Sequence, residues 1–237
     1  MRPLTPFTTS WDDGSELDAR LGSLLTDFGL LGTFYATTGP GGKRTITDAA
    51  LTRLGAEHEL GNHGRSHTRF TSLSGDEIRR ELDWGTAELS RFGQDSALVA
   101  PPFGKIDARV VSLVNSFGYV VRTAPVLSSA TSTAHRIEPT FMLYPLNWRT
   151  AARNMARRVM LPAFPLIRAW GFRKDFRRRT MDLISAAVRH VEVVHMWGHA
   201  ADIDRLDAWD VAHDVFAYVS RLPIQPGTNG EFHHAPL

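Results

Sequence analysis

Short β-rich segments alternate with amphipathic helical ones along most of this 237-residue chain, and that alternation restricts the fold more than any other feature. Phe7–Trp11 reads as a strand, and Glu16–Phe28 as a helix stopped by Gly29. Gly32–Ala36 is β-rich, and a helix starts at about Asp48 with Thr47 placed to cap it. Glu59–His63 is extended. Ser74-Gly75-Asp76-Glu77 opens a helix to about Phe92, with Ile78, Leu82 and Leu89 on one face. Ala97–Ala100 is a strand broken by Pro101-Pro102, Asp107–Phe117 a helix and Gly118–Val121 a strand. Thr140–Leu146 is extended, Phe176–His190 helical, Val191–Trp197 a buried strand and Asp207–Leu222 a last amphipathic helix. Repeated β-then-α units imply a mostly parallel sheet, open or closed into a barrel. Such folds collect their functional groups at the C-terminal ends of the strands, where the polar motifs of this chain fall.

Composition narrows the chemistry. With no cysteine, disulfides, thiolate metal sites and a cysteine nucleophile are excluded, so a metal would have to be held by His, Asp or Glu. No apolar run reaches the roughly 18–20 residues that span a bilayer. Met1–Phe7 leaves no room for the apolar stretch of a signal peptide before the first motif, so a cytoplasmic location is expected. The net charge of +2 is unevenly spread: residues 149–179 hold ten Lys or Arg against Asp175 alone. The expected organisation is one domain over 1–237 with a basic insertion at about 149–179. A basic block suits a phosphate-bearing or lipid-linked substrate, or a peripheral membrane contact. A solvated helix face, a lid or an oligomer contact explains it as well. No nucleic-acid partner is expected.

Three clusters can carry chemistry. Asp12-Asp13-Gly14 ends the first strand; adjacent Asp residues before Gly also suit a turn or cap. His63 and His67 stand four apart, a spacing that puts two imidazoles on one face of a helical turn. His195 and His199 bracket the end of a buried strand, followed by Asp202 and Asp204, where a loop histidine is the plainer reading. Together they are stronger than any one alone, since two His and one acid leave metal positions open for water and substrate.

At these residues the chain resembles the polysaccharide deacetylases, the NodB-like proteins of carbohydrate esterase family four. Thr9–Gly14 resembles their T-F-D-D-G motif, Gly32–Tyr35 their G-T-F-F strand, and Glu59–His67 their E-[IL]-G-x-H-[ST]-x-x-H motif. Ala100–Gly104 resembles R-x-P-Y-G, and Trp197–Asp204 the closing motif of a subgroup that reads W-G-H-S-x-E-[IL]-D. The resemblance implies an α/β fold, a distorted (β/α)7-type barrel. It implies a hydrolase that removes an N-acyl group, chiefly acetyl, from an amino sugar or glycan precursor through metal-activated water. Asp13, His63 and His67 would bind the divalent metal, zinc first, with cobalt, nickel or manganese as alternatives. Asp12 would be the base and His199 the acid, with His195 the competing candidate, expected beneath the site. Phe103 and Gly104 would support the oxyanion.

The departures matter too. Ala100 stands where the family has an Arg that pairs with the base, and Asn147 where an Asp orients the acid. Arg122 and Asp202 or Asp204 are the expected replacements. Trp11 and Trp197 are expected in the core, and Trp148 is the candidate for stacking on a sugar face. Two other readings stay open: a hydrolase of a non-sugar cyclic amide, and a non-catalytic glycan-binding descendant of the family.

Overall fold

The computed structural model describes residues 3–39, 44–145, 164–170 and 175–234. Its strands are β1 (Thr5–Asp13), β2 (Gly32–Ala36), β3 (Glu59–Asn62), β4 (Leu98–Val99), β5 (Val120–Arg122), β6 (Arg136–Ile137), β7 (Phe141–Met142), β8 (Val194–Gly198) and β9 (Ile224–Pro226). Helices α1 (Asp18–Asp27), α2 (Asp48–Glu57), α3 (Gly75–Ser90), α4 (Ala108–Ser116), α5 (Phe164–Trp170), α6 (Phe176–His190), α7 (Ala200–Arg205), α8 (Trp209–Val219) and α9 (Asn229–His234) connect or follow them. None of the described helices is long and apolar enough to cross a membrane.

The strands pair in the order β6-β5-β4-β3-β2-β1-β8-β7, every pair parallel, with β9 also beside β1. The sequence left open whether the sheet is flat or closed; connectivity settles it. β6 and β7 are the two ends of the strand order, yet only Glu138–Thr140 separate them in the chain. Four Cα steps reach at most about 15 Å, whereas seven strand spacings in a flat sheet extend about 34 Å. The sheet therefore curls until its ends meet, and residues 126–128 bridge to β7 through Met142 N–H to Val126 O and Ser128 N–H to Thr140 O. This is the distorted (β/α) barrel expected from the motifs.

Alternation along β1 divides its residues between two environments. Phe7 and Trp11 face the helices, with Trp11 edge-on to Phe216 of α8 at 6.3 Å between ring centres. Thr8, Ser10 and Asp12 face the barrel interior, level with His195 and Trp197 of β8 and with Thr33 and Tyr35 of β2. Helix starts follow the chemistry that the sequence offers. Ser74 and Glu77 form a capping box on α3, and Thr47 and Asp107 cap α2 and α4. Ile78, Leu82 and Leu89 bury the inner face of α3, each contributing about 1.5–3 kcal/mol.

Several boundaries differ from expectation. β8 begins at Val194 rather than Val191, and the last long helix at Trp209 rather than Asp207, because α7 occupies Ala200–Arg205. Among the described residues of the expected Thr140–Leu146 segment, only Phe141–Met142 is strand, and Leu146 lies outside them.

Candidate active site

β1 ends in two consecutive left-handed residues, Asp13 at φ 86° and Gly14 at φ 72°. Asp tolerates this region better than most side chains, at a cost of about 1–2 kcal/mol. The turn carries the Asp13 carboxylate to two imidazoles: Oδ1 lies 2.9 Å from His67 Nε2 and 3.3 Å from His63 Nε2. The His spacing suggested a helical turn, and here the structure corrects the reading. Residues 63–67 form a loop in which Gly64 (φ 76°) and His67 (φ 57°) are left-handed, and the loop, not a helix, brings the rings to 5.1 Å.

The donor set fits a divalent cation. One ligand atom from each of Asp13, His63 and His67 lies within 4.8 Å of the others. His63 Nδ1 donates to the Ala100 carbonyl at 2.6 Å, which fixes the tautomer and leaves Nε2 as the lone-pair nitrogen turned to the cluster. Burial alone would raise the Asp13 carboxyl; the His63 and His67 side chains beside it outweigh that and hold it well below the usual carboxylate range.

Asp12 points into the barrel and is buried. Its Oδ1 pairs with Arg122 Nη2, from the inner face of β5. Arg122 is only 1% exposed; its guanidinium lies 4.9 Å from the Tyr35 ring centre and 5.0 Å from that of Trp197, and Nη1 donates to Thr123 O. Ala100 ends one strand away, because Val99 and Val121 are in register. The cation facing Asp12 thus comes from β5 and not from the Ala100 position. His195 sits lower in the barrel, 2.8 Å from Ser10 Oγ; burial, reinforced by Arg122, pushes its imidazole well below the usual value.

His199 follows β8 at the start of α7, its Nδ1 3.2 Å from Asp202 Oδ2, an ion-pair distance without hydrogen-bond alignment. Burial would lower its pKa, but Asp202, with Asp12 and Asp13 beyond it, more than offsets this and holds the imidazole above its usual value. Arg205 Nη2 fixes the other Asp202 oxygen at 2.8 Å and the Tyr144 hydroxyl at 2.9 Å. Asp204 accepts from the Trp209 indole and takes no part. Tyr35, Tyr144 and Arg205 were not singled out from the sequence; G-T-F-Y was the one signal, and it marked only the strand.

Phe103 and Gly104 form a turn after β4, both left-handed, with the Phe103 ring 4.6 Å from that of His67. Trp11 is fully buried and Trp197 nearly so. Trp148, Asn147 and residues 149–163 and 171–174 of the basic block lie outside the described residues. A cavity of about 670 Å³ lined by Val120, Thr131, Glu138, Thr140 and Val193 contains none of the candidate site residues.

Comparison with known proteins agrees with this architecture. Residues 6–121 match the family model described as polysaccharide deacetylase. Chitin deacetylase 1 of Saccharomyces cerevisiae is 35% identical over 65 residues, 27% of this chain and 22% of that protein. The matched stretches span less than a third of the curated relatives' own length. Among solved structures, the Bc1960 peptidoglycan N-acetylglucosamine deacetylase superposes with a TM-score of 0.60 at 14% identity, covering 95% of this chain and 86% of that one. BA3943 of Bacillus anthracis, described as a pseudoenzyme of carbohydrate esterase family four, gives 0.55 at 15% identity, covering 97% and 66%.

Proposed function

Because the chain belongs to the polysaccharide deacetylase family, we propose that it is a metal-dependent hydrolase removing an N-acyl group, acetyl foremost, from an amino sugar or glycan precursor. The observation that carries this reading is one cluster of different duties at one barrel mouth. Asp13, His63 and His67 converge, Asp12 stands beside them against Arg122, and His199 is held by Asp202.

A divalent cation held by Asp13, His63 and His67, zinc foremost, would polarise the acyl carbonyl and acidify water beside it. Asp12 takes a proton from the attacking water, whose oxygen bonds to the carbonyl carbon. Arg122 keeps the Asp12 carboxylate turned into the site. In the Pro102–Gly104 turn the Phe103 backbone N–H would meet the carbonyl oxygen as it gains charge, while the Gly104 N–H donates to Pro101 O. His199 gives its proton to the nitrogen as the C–N bond breaks, and Asp202 favours the protonated ring that this requires. The products are a carboxylic acid and a free amine.

The test is acetate and formate release from N-acylated sugars with added zinc or cobalt, by wild type and Asp12→Asn, with bound metal quantified in both. Release by wild type alone, at equal metal content, supports the assignment. A second reading is a binding protein without turnover; Ala100 and the similarity to a pseudoenzyme favour it. Metal binding with no release from any sugar, neutral or charged, would favour that reading or a non-sugar amide.

A further inference from the structure

The loops after β3 and β4 carry positive charge that the proposed hydrolysis does not use. Arg65 and Arg69 flank His67 at two residues on either side, and both are exposed. Each guanidinium lies over an exposed aromatic ring: Arg65 over Trp84 at 4.2 Å and Arg69 over Phe103 at 5.0 Å. Phe103 in turn packs on His67, so Arg69 stands one ring away from the candidate metal cluster. Neither arginine pairs with a carboxylate among the described residues. Lys105, also exposed, follows on the same loop as Phe103.

The acids nearby are already engaged. Glu81 accepts from the Arg65 and Ser66 backbone N–H groups and from the Ser66 hydroxyl, and Asp107 caps α4. A guanidinium stacked on an aromatic face keeps its edge of N–H donors directed outward, the geometry that takes a phosphate or carboxylate with two hydrogen bonds. Phe103 carries this ring from a left-handed backbone (φ 62°), between His67 and Arg69.

We propose that the acyl sugar taken by this site bears an anionic group, phosphate or carboxylate, seated on Arg69 across the Phe103 ring, with Arg65 and Lys105 supplying surrounding positive charge. This rests on the reading of the site as one for an N-acylated amino sugar.

The test is calorimetric binding and acetate release, with and without zinc, for N-acetylglucosamine, its 1-phosphate, its 6-phosphate and N-acetylmuramic acid. Wild type, Arg69→Gln and Arg53→Gln are compared; Arg53 is exposed on α2 and serves as a charge control. The expected result is at least about tenfold tighter binding of one anionic sugar than of the neutral one. That ratio falls about tenfold in Arg69→Gln, holds in Arg53→Gln, and shrinks with added salt. Which probe binds tightest separates phosphate from carboxylate. Equal affinity for neutral and anionic sugars overturns the proposal, as does a preference that survives Arg69→Gln and depends only on zinc. Acetate released equally from all probes removes the anionic preference and leaves the hydrolase standing. Arg69-dependent anion binding with no release does the reverse.

Discussion

Asp12 and Arg122 meet inside the barrel although 110 residues separate them in the chain. Both are buried, so each is the other's main compensation for leaving water. Arg122→Met is expected to destabilise the fold by about 3–5 kcal/mol, the cost of stranding a buried charge. Asp12→Asn/Arg122→Met should be more stable than Arg122→Met alone, because the stranded carboxylate is gone. Urea unfolding of the two single variants and the double checks this. A double variant as unstable as the sum of the singles would mean that the pair is not coupled. Arg122→Lys should retain the charge but lose the placement between the Tyr35 and Trp197 rings, and with it most activity.

The second pair, His199 and Asp202, sets a pH window. Asp202 raises the pKa of His199 against the effect of burial, so the ring stays protonated to higher pH than an ordinary histidine. If His199 is the acid, the basic limb of the kcat/KM profile lies above the usual histidine range, and Asp202→Asn moves that limb to lower pH. For stability the sign is the same. A histidine with a raised folded pKa stabilises fully below its unfolded value, and the contribution disappears as pH rises through the folded value. Kinetics and unfolding, each measured from pH 5.5 to 9 for wild type and Asp202→Asn, read both.

His195 runs the opposite way. Its imidazole is kept neutral by burial and by Arg122, so protons bind the unfolded chain more readily than the fold. Its contribution is present above the unfolded pKa of about 6.5 and is lost as pH falls below it. NMR titration of the imidazoles should show His195 neutral where His199 is charged; a His195 signal titrating at the ordinary value would contradict the assignment.

How much of this was legible beforehand follows from the range of each signal. The β-rich run of β1 and the apolar face of α3 are local, and the sequence displayed them. β6 and β7 have two residues each, too short for any period, and α9 hides behind a run, Pro226-Gly227-Thr228-Asn229-Gly230, that reads as a turn. The four-residue spacing of His63 and His67 announced a shared target, but a loop with two left-handed residues, not a helix, achieves it. Arg122 could be named as a candidate from its place at a strand end. That it crosses to Asp12, and that Tyr35 lies against it, depends on barrel closure, which no local pattern encodes.

Metal binding should stabilise the fold, since the three proposed ligands come from the end of β1 and the loop after β3 and are together only when it is formed. With zinc at about 100 times its Kd the gain is about 2.7 kcal/mol, a Tm rise of about 5–10 °C for a chain of this size. His67→Ala should abolish most of that rise, while Asp12→Asn should keep it. Differential scanning calorimetry with chelator and with zinc separates them, and an equal zinc response in His67→Ala would remove His67 from the ligand set.

The far end of the barrel offers a prediction that needs no ligand. Asn229, at the start of α9, is buried among interior groups: its Oδ1 accepts from Thr8 Oγ1 at 2.9 Å, and its Nδ2 donates to the Tyr35 hydroxyl at 3.0 Å. Its backbone N–H donates to Thr33 Oγ1, whose hydroxyl and the Gly230 N–H both donate to Glu59 Oε2. Asn229→Ala removes the side-chain partners of two buried hydroxyls at once, each costing about 1–3 kcal/mol when left unsatisfied. A loss of about 3 kcal/mol is expected. Because Tyr35 also lies against Arg122, the variant should lower kcat modestly without changing zinc content. Asn229→Asp, which keeps the acceptor for Thr8 but not the donor to Tyr35, should lose stability as well. Urea unfolding with metal analysis decides it: destabilisation under 1 kcal/mol in Asn229→Ala would mean that water replaces the side chain and that α9 does not lock the barrel floor.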